Sequence, residues 1–304
     1  IAMKQVFRGK IIWVDIHNPT KEDLEYVAKN YKLHPLIVHE LGVPSQRSKA
    51  EIYKDYIYIV THFPYWDPIK QTSVPWELDI IITKHSLITS SYGPMIDAHQ
   101  EILEKVYQKD FEENYLNEVS KLFYFIFTQY LNFAMRQIIH IQEKMNKIEE
   151  EIFAGKHHRV IPLISYTKRD ILNFRRIFRY LKEDINSLVR RGPMILGEGS
   201  KIYFEDLMGE SLRVDNIIEG FKDTIESLEN TNNSYIEYKI NLLTKIYTIV
   251  SFVGWPALII ISSFQMNVQY LPIRGKPYDY FLILTVAFVP AIILYLILKK
   301  KKMI

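Results

Sequence analysis

Asn241, Thr244, Thr248, Ser251, Trp255, Leu258, Ser262 and Gln265 recur at spacings of 3, 4, 3, 4, 3, 4 and 3 residues. This alternation marks one face of a helix with a 3.5-residue repeat. Most members bear a hydroxyl or an amide, and none bears a charge. Such neutral oxygens can accept hydrogen bonds from the water shell of a cation without stripping it. That suits Mg2+, an ion that dehydrates reluctantly. The same residue types also suit helix packing inside a bilayer, where Ser and Thr let backbones approach and bond to each other. The spacing alone leaves both readings open.

The stripe lies in an apolar setting. Ile246–Phe264 and Tyr280–Leu298 each run for 19 residues without a charge. At 1.5 Å per residue each extends roughly 28 Å, close to the ~30 Å hydrocarbon core of a bilayer. Two membrane spans are therefore predicted. Lys299, Lys300, Lys301 and Lys302 follow the second span directly, which predicts a cytoplasmic C-terminus. Two spans return the chain to the side it left, so the N-terminal part is expected in the cytoplasm as well. Only the loop from Gln265 to Asp279 then reaches the far side. The first residues carry no signal-peptide pattern. The expectation is a multi-pass protein of the cell (inner) membrane, in contact with the lipid bilayer. Two spans cannot enclose a channel, so the ion-path reading requires a cyclic homo-oligomer.

Residues 1–95 read as a cytoplasmic α/β domain. Gly9–Ile16 is apolar and β-branched, as a strand is. Thr20 is the expected N-cap of the helix that follows, with Asp23 at the capping-box position. Asp55–Phe63 and Trp76–Tyr92 read as further strands, the latter turning around Lys84, His85 and Ser86. Residues 96–200 read as a cytoplasmic helical domain. Its first long helix has no Gly or Pro from Asn114 to Phe153, is interrupted at His157–Pro162, and gives way to a second from about Ile164 to Arg190. Arg190–Ser200 is a Gly- and Pro-bearing turn. A stalk helix is predicted over 201–245, running without a break into a pore-lining transmembrane helix at 246–267. An external loop at 268–279, a second transmembrane helix at 280–298 and a basic tail at 299–304 complete the division.

Other chemistry is poorly supported. The 304 residues carry a net charge of +3 and no basic stripe with interleaved aromatics, so no nucleic-acid partner is expected. The absence of cysteine excludes disulfides and thiolate metal sites. His34, His39, His62, His85, His140, His157 and His158 show no ligand spacing; the adjoining pair at 157–158 cannot easily share one tetrahedral ion. They read as surface or capping residues. Glu149, Glu150, Glu151, Glu205, Asp206, Glu210, Asp215, Glu219, Asp223 and Glu226 read mostly as solvated helix faces, a few of them suited to sensing Mg2+. No phosphate loop, nucleophile triad or carboxylate dyad is present, so neither an enzyme nor a cofactor is expected.

Read in order, several segments resemble the CorA family of divalent-cation transporters, which includes the zinc-transporting ZntB branch. They are Trp13–Leu41, with its His34-Pro35-Leu36 end; Ser48–Val60, a Lys and an acid before an aromatic-rich strand; Lys147–Lys156 and Lys168–Phe178; and Tyr203–Leu207. Gln265-Met266-Asn267 stands where the family closes its first span with Gly-Met-Asn, and Tyr270-Leu271-Pro272 follows in the family's place. The resemblance covers most of the chain. It implies an α+β cytoplasmic funnel domain, a long stalk helix and two C-terminal transmembrane helices, assembled as a homopentamer. It implies that Gln265, Met266 and Asn267 form the selectivity filter, with Asn267 offering its amide oxygen to a hydrated ion. Asn241, Thr244, Thr248, Trp255 and Leu258 fall on the family's pore positions, and Pro256 on its proline. Asp206 falls on a stalk acid that helps bind a regulatory divalent cation between subunits.

The chain departs from the family at two places. Glycine permits a tight turn that Gln265 does not adopt cheaply, and a ring of Gln side chains crowds a mouth. The loop carries Arg274 and Lys276 against a single acid, Asp279. Clustered positive charge repels cations over a Debye length of about 8 Å, unless these side chains meet lipid headgroups instead. Trp255 and Leu258 together suit a hydrophobic constriction that gates by dewetting. The expected function is passage of divalent cations, above all Mg2+, gated by cytoplasmic divalent ions. A ZntB-like Zn2+ or broad-specificity, proton-coupled transporter is the alternative, and a non-conducting scaffold or sensor the second.

Overall fold

Thr20 opens the first helix as its spacing to Asp23 predicts. The Thr20 side chain accepts from Asp23 N (3.3 Å), and the Asp23 carboxylate accepts from Thr20 N (3.0 Å), a reciprocal capping box. The structure is a computed structural model describing residues 3–45, 47–108, 110–266, 269, 273, 275 and 277–300. It divides into two compact units, residues 1–229 and 230–304.

The first unit is built on a six-stranded sheet. Its strands are β1 (Met3–Arg8), β2 (Ile12–His17), β3 (Lys49–Ile52), β4 (Tyr56–Asp67), β5 (Thr72–Thr83) and β6 (Ser86–Ser91), in the order β1-β2-β6-β5-β4-β3. All pairs are antiparallel except β2 with β6. The turn at Lys84–His85 is where the sequence predicts it. β4 and β5 are longer than expected, because Pro64 and Pro75 face each other and both missing N–H groups fall on one rung of the ladder. β1 and β3 escape the sequence reading. They are edge strands of mixed polarity, where no strong apolar alternation develops.

Side chains alternate between the two faces of the sheet. Val14, Ile16, Tyr58, Val60 and Ile81 pack against Val27 of α1 (Lys21–Asn30) and Ile37 of α2 (Pro35–Glu40). Trp13, Ile57, Ile59, Phe63, Leu78 and Ile80 meet the helices of the other face. These are α3 (Asp97–Val106), α4 (Phe111–Tyr115), α5 (Val119–Phe153), α6 (His157–Arg191), the short α7 (Pro193–Leu196) and the first part of α8 (Lys201–Phe264).

The break between the long helices falls at Ala154–Lys156 rather than at His157–Pro162. Gly155, at φ +75, closes α5. Pro162 sits inside α6 as its sixth residue, past the first turn, and removes the ladder bond its N–H would have made to His158 O. The expected turn at Arg190–Ser200 is largely helical, holding the end of α6, α7 and a 3-10 turn at Glu198–Ser200.

In the second unit, α8 is helical up to Phe264, through Pro256, and α9 (Asp279–Lys300) follows. Both helices are long and apolar enough to cross a membrane. Ala287 and Ala291 of α9 pack on Ala257 of α8, with Val253, Ile260 and Ile261 around them. Small residues at the contact let the two backbones approach.

Candidate functional site

The stripe is set by helix phase. At about 100° per residue, Asn241, Thr244, Thr248, Ser251, Trp255, Leu258 and Ser262 all lie roughly 100° or more from Ala257. Ala257 marks the face of α8 that packs on α9. All seven are exposed, Trp255 at 68% and Leu258 at 61%. Among the described residues the polar edge is therefore left largely open within the chain. Thr248 Oγ1 donates its proton to Thr244 O (2.7 Å), so what the hydroxyl presents outward is its lone pairs. An acceptor in that position matches the outward-pointing protons of a hydrated cation. At one end of the stripe, Asn241, Thr244 and Thr248 line a groove of about 340 Å³ that Leu298 of α9 borders.

The expected filter begins just past the helix end. α8 stops at Phe264, short of the predicted 267, and Gln265 N and Met266 N bond Ser262 O and Ser263 O in a tightened last turn. Both residues are exposed. Asn267 lies outside the described residues, as do Tyr270-Leu271-Pro272, Arg274, Lys276, Lys301 and Lys302. Asp279 starts α9, and its carboxylate accepts from Gly275 N (3.2 Å) and Tyr280 N (2.7 Å). Its charge is thereby tied to a helix N-terminus, where an anion is favoured.

In the first unit Asp206 is exposed on α8 and accepts a hydrogen bond from the Tyr124 hydroxyl (2.6 Å). That bond, with burial, pushes the Tyr124 phenol up. Among the described residues no group of three or more His, Asp or Glu side chains is placed to hold a metal ion. Two of the α8 acids read as solvated, Asp215 and Glu219, are paired across to α6, and so is Glu229. Lys168 meets Glu229 (2.8 Å), Arg175 meets Glu219 (2.8 Å), and Lys182 meets Asp215. Cations at a seven-residue spacing on α6 make this ladder, a signal the sequence carries.

The histidines divide. His34 caps α2 by accepting from Leu36 N (3.2 Å). His62 and His157 are buried, contrary to the surface reading, because β4 and the start of α6 face the core. His17 and His99, not singled out by the sequence, are buried too. His99 lies 3.0 Å from Asp15 Oδ2 and 2.6 Å from the Tyr130 hydroxyl, and Thr89 donates to Asp15 Oδ1 (2.5 Å). Burial, then the neighbouring His99, holds His17 below the usual imidazole range. Asp170 and Asp184 of α6 are buried as well. An acid at the apolar phase of a helix is the signal that would have found them.

A family profile described as "CorA-like Mg2+ transporter protein" matches residues 8–300. The cobalt/magnesium transport protein CorA of Thermotoga maritima is 22% identical over 293 residues, spanning 95% of this chain and 82% of that protein. The cobalt/magnesium transport protein CorA of Methanocaldococcus jannaschii is 20% identical, spanning 96% of this chain and 90% of that protein. The complete structure of the M. jannaschii CorA magnesium transporter superposes with a TM-score of 0.82 at 20% identity, over 97% of this chain and 92% of that one. The likeness of fold takes in the mixed α+β N-terminal part, the long helix and two apolar C-terminal helices.

Proposed function

The chain belongs to the CorA family of Mg2+ transporters, and on that premise we propose that copies of it, five in the expected ring, surround an axial path for hydrated divalent cations. It is a membrane transporter and not an enzyme. The observation that carries the reading is the exposed polar face of α8, set away from the Ala257 contact with α9 and flanked by apolar residues. Two spans cannot close a channel, so this face meets its own copies about the axis. Thr244, Thr248 and Ser251 hydrogen-bond the ion's waters rather than the ion. Asn241 receives it at the cytoplasmic end. Trp255 and Leu258 form an apolar ring that conducts when wetted and closes when dry. Gln265, Met266 and Asn267 form the outer site, with both termini cytoplasmic.

Mg2+ is the favoured ion, moving down the membrane potential. Asp206 is assigned to a regulatory divalent-cation site shared between subunits, which adjusts opening to the cytoplasmic level. The positive pair Arg274 and Lys276 in the loop favours a second reading, a Zn2+ transporter driven by a proton gradient. Purified protein in liposomes separates the two. Mg2+ uptake driven by an imposed potential supports the first, and Zn2+ uptake that needs a pH gradient supports the second. Flux of neither ion leaves a non-conducting scaffold. Gln265→Gly should raise Mg2+ conductance, and an unchanged or dead channel argues that Gln265 is not an obstruction.

A further inference from the structure

From Asn230 to Ile304 the chain has two acids, Glu237 and Asp279, against Lys239, Lys245, Lys276 and the run Lys299–Lys302. Lysines of the first unit find acid partners, as Lys144 does with Asp170, Lys168 with Glu229 and Lys182 with Asp215. Among the described residues Lys222 is the last lysine along the chain that does. Lys239 and Lys245 of α8 and Lys299 and Lys300 of α9 are all exposed.

The fold of the second unit brings these four charges together. α9 packs on α8 through Ala257, Ala287 and Ala291. Further along, Leu298 of α9 and Lys245 of α8 line one groove. Lys299 and Lys300, the next residues of α9, therefore end beside Lys245. Lys239 lies about 9 Å from that level, toward the start of α8. From Lys239 to Ala257 the helix makes about five full turns, so Lys239 stands on the face that α9 follows. Glu237 does not offset this charge, because its phase is about 160° from Ala257, on the other side of the helix. Asp279 starts α9 and is about 30 Å away along its axis. Four cations thus share one end of the helix pair with no anion on their side, and they repel one another.

The level at which they gather points to the anion that completes them. Lys245 directly precedes the uncharged run Ile246–Phe264, and Lys299 directly follows Tyr280–Leu298. Where an apolar helix leaves a bilayer it meets the layer of phosphate headgroups. Tyr238 and Tyr247, 61% and 69% exposed, stand about 100° and 80° to either side of Lys239. Tyrosine favours that layer, because its ring is apolar and its hydroxyl is wet. We propose that Lys239, Lys245, Lys299 and Lys300 form a belt that binds the phosphate groups of anionic phospholipids, at the end of the helix pair read as cytoplasmic. Long apolar stems let the ammonium groups reach a common headgroup plane from different heights on the helices. An anionic leaflet strengthens the attachment about fivefold for each lysine near its surface. The belt rests on α8 and α9 crossing the bilayer and is independent of the ion path.

The test uses the purified full chain in its oligomeric form. Native mass spectrometry, after exchange into equal amounts of phosphatidylglycerol and phosphatidylcholine, should show the anionic lipid retained in preference, and more so at low salt. Lys239→Gln with Lys245→Gln, and separately Lys299→Gln with Lys300→Gln, should cut that preference by about fivefold per lysine. The charge-keeping Lys239→Arg with Lys245→Arg should retain it. Thermal unfolding should move to higher temperature with added phosphatidylglycerol and stay unchanged with phosphatidylcholine or inorganic phosphate. Equal retention of the two lipids, a preference that the Gln variants leave unaltered, or equal stabilisation by inorganic phosphate would overturn the belt. So would Gln variants that lose the oligomer while the bound lipid stays the same, since the lysines would then pair with acids of a neighbouring copy.

Discussion

Along the first part of α8, Phe204, Leu207, Ser211, Val214, Ile218 and Ile225 occupy one face at spacings of three, four or seven and are buried. Further along the same helix, Asn241, Thr244, Thr248, Ser251, Trp255, Leu258 and Ser262 repeat the three-four spacing and are exposed. The periodicity is shared and the chemistry is inverted. In the first unit the apolar face is satisfied by the same chain, through the core that also holds Phe123, Phe174 and Phe178. In the second the apolar residues flank the stripe, and α9 packs on the Val253–Ala257–Ile261 side. A regular spacing therefore marks a face. Its residue types say whether that face suits burial in the chain's own core.

The contrast can be broken most decisively at the outer site. Asn267→Ala should abolish ion flux in liposomes while the oligomer elutes unchanged; normal flux removes Asn267 from the ion's route. Next in size is Phe204→Ala. It empties a buried site and should lower stability by about 3–5 kcal/mol in denaturant unfolding. Leu258→Ala, on the exposed stripe, should change stability by no more than about 0.5 kcal/mol and raise conductance by widening the apolar ring. Equal destabilisation by the two would show that the stripe is packed after all.

Thr248→Val deletes one acceptor. Its expected effect is a loss of about 0.5–1.5 kcal/mol of interaction, read as a several-fold drop in Mg2+ flux with folding intact. The smallest effect belongs to the α6–α8 ladder. Lys182→Ala should reduce stability by about 0.2–1 kcal/mol, and by less in high salt, because the pair is partly exposed. A larger, salt-independent loss would mean that the ladder, and not the apolar face of α8, holds that half of the helix.

The local signals of this chain sufficed for a good part of it. Thr20 and Asp23 mark a helix start because a capping box spans four residues. Two uncharged runs mark two apolar helices because length and composition alone meet the bilayer's thickness. The stripe is legible because a helix converts spacing into a face. Burial of polar groups was not legible, because it depends on segments distant in sequence. Asp15 meets His99 across 84 residues, and Ser73 meets Asp170 across 97. Asp184 shares the apolar phase of α6 with Leu181 and Leu188, a hint of burial that only the packed helix confirms. Likewise, spacing could not separate an ion-facing stripe from a helix-packing seam. The structure adds that α9 packs on Ala257, where small side chains allow a close approach, and leaves the polar edge exposed in the single chain.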